Sequence, residues 1–495
     1  MKSQLLSLAV AVTTISQGVV GQEPFGWPFK PMVTQDDLQN KIKLKDIMAG
    51  VEKLQSFSDA HPEKNRVFGG NGHKDTVEWI YNEIKATGYY DVKKQEQVHL
   101  WSHAEAAVSA NGKELKASAM SYSPPASKIM AELVVAKNNG CNATDYPENT
   151  QGKIVLVERG VCSFGEKSSQ AGDAKAAGAI VYNNVPGSLA GTLGGLDKRH
   201  VPTAGLSQED GKNLATLIAS GKVDVTMNVI SLFENRTTWN VIAETKGGDH
   251  NNVVMLGAHS DSVDAGPGIN DNGSGSIGIM TVAKALTNFK LNNAVRFAWW
   301  TAEEFGLLGS TFYVNSLDDR ELHKVKLYLN FDMIGSPNFA NQIYDGDGSA
   351  YNMTGPAGSA EIEYLFEKFF DDQGIPHQPT AFTGRSDYSA FIKRNVPAGG
   401  LFTGAEVVKT PEQVKLFGGE AGVAYDKNYH GKGDTVANIN KGAIFLNTRA
   451  IAYAIAEYAR SLKGFPTRPK TGKRDVNPQY SKMPGGGCGH HTVFM

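Results

Sequence analysis

Residues Leu256 to Ser276 read LGAHSDSVDAGPGINDNGSGS and set His259, Asp261, Asp264 and Asp271 close together among turn-forming residues. Asp, Asn and Gly are also what turns are made of, so a solvated connector would have the same composition. The other possibility is that the carboxylates face a cation that relieves their mutual repulsion. This segment alone does not decide between the two. Further along, Glu303 and Glu304 stand side by side in WWTAEEFGLLGS, Asp332 lies in NFDMIGSP, and His430 follows Tyr429 in YHGKGDT. Imidazole nitrogen together with carboxylate oxygen is a ligand set suited to zinc. The sequence has no HExxH for a zincin and no GxSxG for a serine hydrolase.

Such residues act together only if the fold converges them. NVVMLGA reads as a strand ending at His259, AVRFAWWTA as one ending at the glutamate pair, and VKLYLNFDMI as one with Asp332 near its end. Helical patterns lie between: Ile279, Val282, Ala283 and Leu286 share one face, as do Ile362, Leu365, Phe366 and Phe369, and GAIFLNTRAIAYAIAEYARSL closes the series. Alternating strand and helix predicts an α/β fold, a mixed, mostly parallel sheet sandwiched by helices. In open sheets of this kind ligands collect outside the carboxyl ends of the strands. His259, Asp271, Glu303, Glu304 and Asp332 would then share one edge, which favours the cation. One zinc takes about four ligands, so the set suffices for two with one carboxylate shared. Charge balance suits Asp271 as the bridge and Glu304 and Asp332 as terminal ligands, and it leaves Glu303 free to act as a base.

Upstream, LKDIMAGVEKLQSF and GHKDTVEWIYNEIKATG read as helices around a glycine-rich NRVFGGNGH, the second stopping at Gly88. From about Val108 to Ile230 the texture changes to short β-rich runs, interrupted by one helix, FGEKSSQAGDAKAAG, with Gly178 as its stop.

The ordered motifs GAHSDSVDAGPGINDNGSGS, WWTAEEFGLLGS, NFDMIGSP, GRSDYSAF and YHGKGDT resemble the co-catalytic dizinc aminopeptidase family that includes aminopeptidase Y and the secreted leucine aminopeptidases. The likeness runs from about Trp239 to Ala459, and NRVFGGNGH extends it upstream. The intervening GKIVLVERGVCSFGEKSSQAGDAKAAGAIVYNN is similar to a protease-associated domain. The resemblance implies a zinc exopeptidase fold in two pieces, residues 35–115 and 231–463, with a β-rich protease-associated domain inserted at 116–230. It further implies two zinc ions per chain, one on His259, Asp271 and Asp332 and the other on Asp271, Glu304 and His430. Glu303 would be the general base, and Tyr429 would donate to the tetrahedral oxyanion. Asp261 would orient the His259 imidazole, and the segment Arg385 to Asp387 would line the pocket for the substrate's N-terminus. Some relatives carry an aspartate where Asn272 stands, a position that is not a ligand. Two enzymes of the same fold fit less well. A carboxypeptidase would need clustered arginines, and a single-zinc glutaminyl cyclase would not need the full ligand set. A receptor-like relative would have lost ligands that are all present here.

The 495-residue chain has room for two or three domains and a 41% apolar fraction, ordinary for a protein with large cores. Its 49 basic and 51 acidic residues nearly balance, so nothing global attracts nucleic acid or an anionic membrane and a small or neutral substrate is favoured, while the resemblance implies peptides with a free N-terminus as the partners. A monomer is expected. The first residues, with one early lysine, an apolar run from Leu5 to about Ile15 and small residues after it, read as a secretory signal ending near residue 18. Secretion is the expected destination, with a vacuolar or lysosome-like lumen as the alternative. Cys141 and Cys162 are close enough to staple one segment, so a disulfide is expected there. Sequons at Asn142, Asn235 and Asn352 are candidate glycan sites, whereas Asn272, inside the candidate loop, is expected to stay bare. Residues 464–495, with Cys488, His490 and His491, are too poor in apolar groups to pack and are expected to be flexible.

Overall fold

The structure, a computed structural model, describes residues 30–467. The signal segment and the histidine-bearing end of the tail lie outside the described residues. Four parallel strands form the centre of the catalytic sheet, in the order Asn293–Trp300, Asp249–His259, Val325–Phe331 and Ala398–Phe402. Gln342–Tyr344 runs antiparallel to the last of these, with Gln378–Thr380 beyond it, and Asp224–Thr245 runs antiparallel to the first. The sheet is therefore mixed and mostly parallel in its centre, as the strand and helix alternation predicts.

Both faces are covered, which is why the central strands are apolar nearly throughout. Val254, Leu256 and Ala258 point to one face and pack with Phe297, Trp299, Leu329 and Phe331 against helices Leu44–Asp59, Asn71–Ala86, Gly275–Leu286, Ser359–Asp371 and Lys441–Arg460. Their alternates Met255, Ala298, Trp300 and Tyr328 pack on the other face against Leu308–Ser316 and Tyr388–Lys393. Gly257 permits this second layer, because a Cβ there would lie 2.5 Å from Trp300 Nε1 and 2.6 Å from the Tyr328 hydroxyl.

Strand Tyr90–Ala110 pairs with Asp224–Thr245 along its whole length, from Tyr90 opposite Thr245 to Ala110 opposite Val225. One end of this ribbon borders the parallel sheet through Glu244 opposite Arg296. The other end carries the inserted domain, where Ala126–Val135, Ile154–Glu158, Gly178–Tyr182 and Thr203–Leu206 follow in turn.

The insertion has two helices rather than the one read from the sequence. The first, Phe164–Asp173, is capped by Ser163, which accepts the Glu166 amide. It ends at Asp173, short of Ala174, Ala176 and Ala177, because Lys175 takes a left-handed conformation (φ 60°), and Gly178 opens a strand instead of stopping the helix. The second, Gln208–Ser220, is capped by Ser207 and buries only Gly211 and Leu214, too few apolar positions to have stood out as a periodic pattern. Cys141 and Cys162 form a disulfide, with Cα atoms 5.8 Å apart, joining the turn at 138–140 to the loop before the first helix. Among the described residues no helix is long and apolar enough to cross a membrane.

Candidate active site

The carboxyl edge of the parallel sheet gathers the candidate residues. His259 ends its strand, Asp271 lies in the irregular turn 269–274 that leads into helix Gly275–Leu286, and Glu303 and Glu304 follow Trp300. Asp332 follows Phe331, and His430 comes from a turn between Tyr425 and Asp434. The backbone is in the left-handed region at Ala302 (φ 52°), Met333 (φ 50°) and His430 (φ 53°), all at or beside these residues. For residues with a Cβ such conformations are costly, and the surrounding packing must enforce them. Gly275 keeps the edge compact: a Cβ there would fall 2.2 Å from the Phe331 carbonyl and 2.4 Å from Asn272 Oδ1, forcing the Asp271 turn away from Asp332.

His259 Nε2 lies 3.2 Å from Asp271 Oδ1, 3.4 Å from Asp332 Oδ1 and 3.8 Å from Glu303 Oε2. His430 Nε2 lies 3.2 Å from Asp271 Oδ2 and 3.1 Å from Glu304 Oε2. The two oxygens of Asp271 thus face two different imidazoles, each with its own further carboxylate. Nearly all of this is buried, with His259 at 1% exposure and Asp332 and Glu304 at 8%. Yet His259 Nε2, His430 Nε2, Asp332 Oδ1 and both Glu304 oxygens are buried without a hydrogen bond. Buried polar atoms are normally satisfied. Nitrogen and oxygen donors left bare while converging on shared centres fit metal ions, and the chemistry of the set fits zinc.

The electrostatics agree. Burial opposes a charge on His259, but Asp332, Glu303, Asp261 and Asp271 together hold its pKa well above the usual imidazole value. His430 is likewise resisted by burial and carried up to about 10 by Glu304 and Asp271. Burial pushes Glu303 well above the ordinary carboxyl range, with His259 countering and Glu304 and Asp332 reinforcing the shift. Burial also opposes ionisation of Asp271, but the two imidazoles hold it below the normal carboxylate range. The carboxylates demand positive charge, and the imidazoles are driven to supply it.

The remaining candidates surround this cluster. Asp261 Oδ1 is 3.6 Å from His259 Nδ1, beyond hydrogen-bond length, and the Asp261 carboxylate accepts the backbone amides of Glu303 and Glu304 at 3.2 and 3.4 Å. The Tyr429 ring stacks on the His430 imidazole at 3.8 Å between centroids, and its hydroxyl accepts from Arg385 Nη2 at 2.9 Å. Arg385 also pairs with Glu406 at 3.0 Å, so its guanidinium is held by Tyr429 and Glu406. Asp387 is buried, and burial raises its pKa to about 7, with His259 countering.

Three supporting contacts come from residues inside motifs visible in the sequence whose local pattern does not disclose them. Ser386 donates to Asp332 Oδ2 at 2.6 Å, and behind it a hydrogen-bonded chain runs through Asn330 and Tyr328 to Trp300. Asp434 accepts the backbone amides of Asn270 and Asp271 at 2.7 and 2.9 Å. Arg66, fully buried in NRVFGGNGH, donates to the carbonyls of Ser260, Pro267 and Gly268 and so clamps the loop between His259 and Asp271. Asn272 is also fully buried, with Nδ2 donating to the Phe331 carbonyl, whereas Asn142, Asn235 and Asn352 are exposed.

A parallel sheet with two imidazoles and several unsatisfied carboxylates at its carboxyl edge defines a metal-dependent hydrolase. The chain belongs to peptidase family M28, whose model matches residues 240–455, and a PA domain model matches residues 129–214. Leucine aminopeptidase 2 of Trichophyton rubrum is 98% identical over 495 residues, covering the whole of both chains. Aminopeptidase Y of Saccharomyces cerevisiae is 39% identical over 476 residues, 92% of this chain and 86% of the yeast protein. The solved structure of a zinc aminopeptidase from Bacillus subtilis superposes with a TM-score of 0.64 at 25% identity, over 88% of this chain and 98% of that one. The protein is a metallo-aminopeptidase, with its PA domain inserted within the M28 fold.

Proposed function

We propose that the chain is a secreted dizinc aminopeptidase that releases N-terminal leucine and other apolar residues from peptides. The observation that carries the two-metal reading is the Asp271 carboxylate, with Oδ1 facing His259 and Oδ2 facing His430 at the same 3.2 Å. His259, Asp271 and Asp332 would hold one zinc, and Asp271, Glu304 and His430 the other. Zinc held there would supply Lewis-acid polarisation of the scissile carbonyl and would lower the pKa of a bound water toward about 7.

The chain's own residues do the rest. Glu303 Oε2, 3.8 Å from His259 Nε2, takes the proton of the attacking water and hands it to the leaving nitrogen. Tyr429, fixed by Arg385 and by its stack on His430, donates its hydroxyl hydrogen to the developing oxyanion. Asp261 holds the backbone of the glutamate pair, and the segment from Arg385 to Asp387 lines the pocket that receives the free amine. The relatives' names support the leucine preference, and the Bacillus structure's title supports zinc.

We further take the catalytic domain to comprise residues 35–115 and 231–463 and the insertion 116–230. The insertion restricts access to the cleft. Its Arg159 is a buried guanidinium brought down to about 10 by burial, with Arg385 and Glu406 among the charges acting on it. The signal-like N-terminus, the disulfide and the exposed sequons support the secretory route. The deciding experiment is a zinc count per chain together with hydrolysis of free and N-acetylated leucyl peptides. Two zincs and cleavage of the free peptide alone support this reading, and one zinc or cleavage of the blocked peptide refutes it.

A further inference from the structure

Away from this site, the loop after strand Gln342–Tyr344 brings three carboxylates together. Asp345, Asp347 and Glu363 each offer an oxygen within 4.8 Å of the others, and Glu363 reaches the loop from helix Ser359–Asp371. Loop amides engage part of each carboxylate. Asp345 Oδ2 accepts from Ala350 and Tyr351 at 3.2 and 2.8 Å, Asp347 Oδ1 accepts from Ser349 at 2.7 Å, and Glu363 Oε2 accepts from Gly346 and Asp347 at 2.8 and 3.0 Å. Asp345 is 1% exposed, and its other oxygen, Oδ1, is buried with no hydrogen-bond partner.

A bare carboxylate oxygen in that position is costly unless something positive meets it. Burial pushes the Glu363 carboxyl up to about 7, two amides pull it back, and the charges beside it, those of Asp347 and Asp345, are of its own sign. A proton shared within the group is one way to relieve this, and a cation is the other.

The donor chemistry selects the cation. The group is all oxygen, without the imidazole or thiolate that zinc favours. Calcium takes about six to eight oxygens at about 2.3–2.6 Å in flexible geometry, completed by carbonyls and water, whereas magnesium demands near-ideal octahedra and keeps its own water. Asp347 is exposed and leaves a path of entry. We propose that Asp345, Asp347 and Glu363 form a calcium site, separate from the catalytic metals, that fastens loop 345–354 to helix Ser359–Asp371.

The loop is continuous with catalytic structure. The Asp345 amide donates to the Thr380 carbonyl at 2.8 Å, and Tyr344 stacks on Phe382 at 5.1 Å and packs on Tyr388 at 4.8 Å. That segment carries Ser386 and Asp387, so calcium would stiffen one wall of the active site without touching the substrate.

The test uses the full-length, zinc-loaded enzyme in calcium-free buffer. Calcium chloride is titrated while the melting temperature is followed, and terbium luminescence, sensitised by Tyr344 and Tyr351, reads binding directly. One saturable site with Kd between about 10⁻⁶ and 10⁻³ M is expected. Asp347→Asn, at an exposed position that leaves folding intact, weakens calcium at least about tenfold, as does Glu363→Gln, while zinc content stays unchanged. Glu304→Gln, which alters the catalytic site, leaves the calcium titration as it was, so failure of the zinc assignment and failure of this one are read separately. Parent enzyme with no saturable response up to about 10 mM calcium, or Asp347→Asn and Glu363→Gln titrating like the parent, overturns the proposal.

Discussion

Glu303 and Glu304 are consecutive, yet their carboxylates face different imidazoles, Glu303 Oε2 at 3.8 Å from His259 Nε2 and Glu304 Oε2 at 3.1 Å from His430 Nε2. The left-handed turn at Ala302 just before them and the Asp261 carboxylate, which accepts both their amides, keep the two side chains apart. Under the roles proposed for them, Glu303 as base and Glu304 as zinc ligand, substitution separates the two. Glu303→Gln keeps shape and removes the base, so zinc content persists while kcat falls by roughly 10²- to 10⁴-fold. Glu304→Gln replaces an anionic ligand with a neutral amide, so zinc and rate fall together. Zinc stoichiometry and turnover of both variants check this, and the reverse pattern would reverse the roles.

Chelation should abolish turnover, and added zinc should restore it. The reason is the pair of buried nitrogens and three bare carboxylate oxygens at the site, for which the described structure supplies no hydrogen bonds. Hydrolysis of a leucyl peptide by protein shown to be metal-free would contradict the two-metal reading.

Tyr429→Phe removes one hydroxyl and leaves the stack on His430 in place. The loss should fall on kcat rather than KM, by about 10²- to 10³-fold, as for other single oxyanion donors. Zinc content should not change. A rise in KM at constant kcat would instead assign the tyrosine to ground-state binding.

Ser386→Ala cuts the 2.6 Å bond that fixes Asp332 Oδ2 and leaves Asn330 Nδ2 without that acceptor. Metal affinity or activity should drop about 10- to 100-fold, the usual cost of losing a partner behind a ligand. Competition with a graded zinc chelator measures it. Affinity equal to the parent would show that Asp332 is held without the serine.

Much of this was legible in the sequence for a definite reason. Strand and helix alternate cleanly after Trp239, and the candidate site residues fall at or just after the ends of the strands, so a parallel-sheet rule converts sequence position into spatial convergence. What stayed hidden was the support behind them. Ser386 and Asp434 are ordinary polar residues whose worth lies in bonds to Asp332 and to the Asp271 backbone, contacts across 54 and 163 positions that no local pattern records. Arg66 was hidden similarly: an arginine in a glycine-rich loop reads as exposed, yet it is fully buried on three carbonyls of a distant turn. In the insertion, alanine's helix propensity extended the first helix too far, because the chain turns left-handed at Lys175, where the Ala176 amide donates back to the Ala171 carbonyl and the Gly152 amide donates to the Lys175 carbonyl, a contact from a distant segment that composition does not record.

The disulfide offers a test of whether the insertion is structural or chemical. Lys167 is fully buried beside it, donating to the Asn139 carbonyl, with Nζ 3.4 Å from Cys162 Sγ and 3.8 Å from Cys141 Sγ, and burial brings its pKa down to about 8. Breaking the cross-link frees the 138–141 turn, and with it the carbonyl that satisfies the buried ammonium. Replacing both cysteines with serine should therefore cost about 2–5 kcal/mol, the usual range for a native disulfide, and lower the yield of folded protein. The cross-link joins two segments of the insertion, whereas the proposed metal ligands and Glu303 all come from the M28 fold, so molecules that do fold should keep the parent's kcat and zinc content. Thermal melting and turnover of the purified double variant check both halves. An unchanged melting temperature would remove the disulfide's structural role, and a folded variant with lost kcat would show that the insertion reaches the chemistry itself.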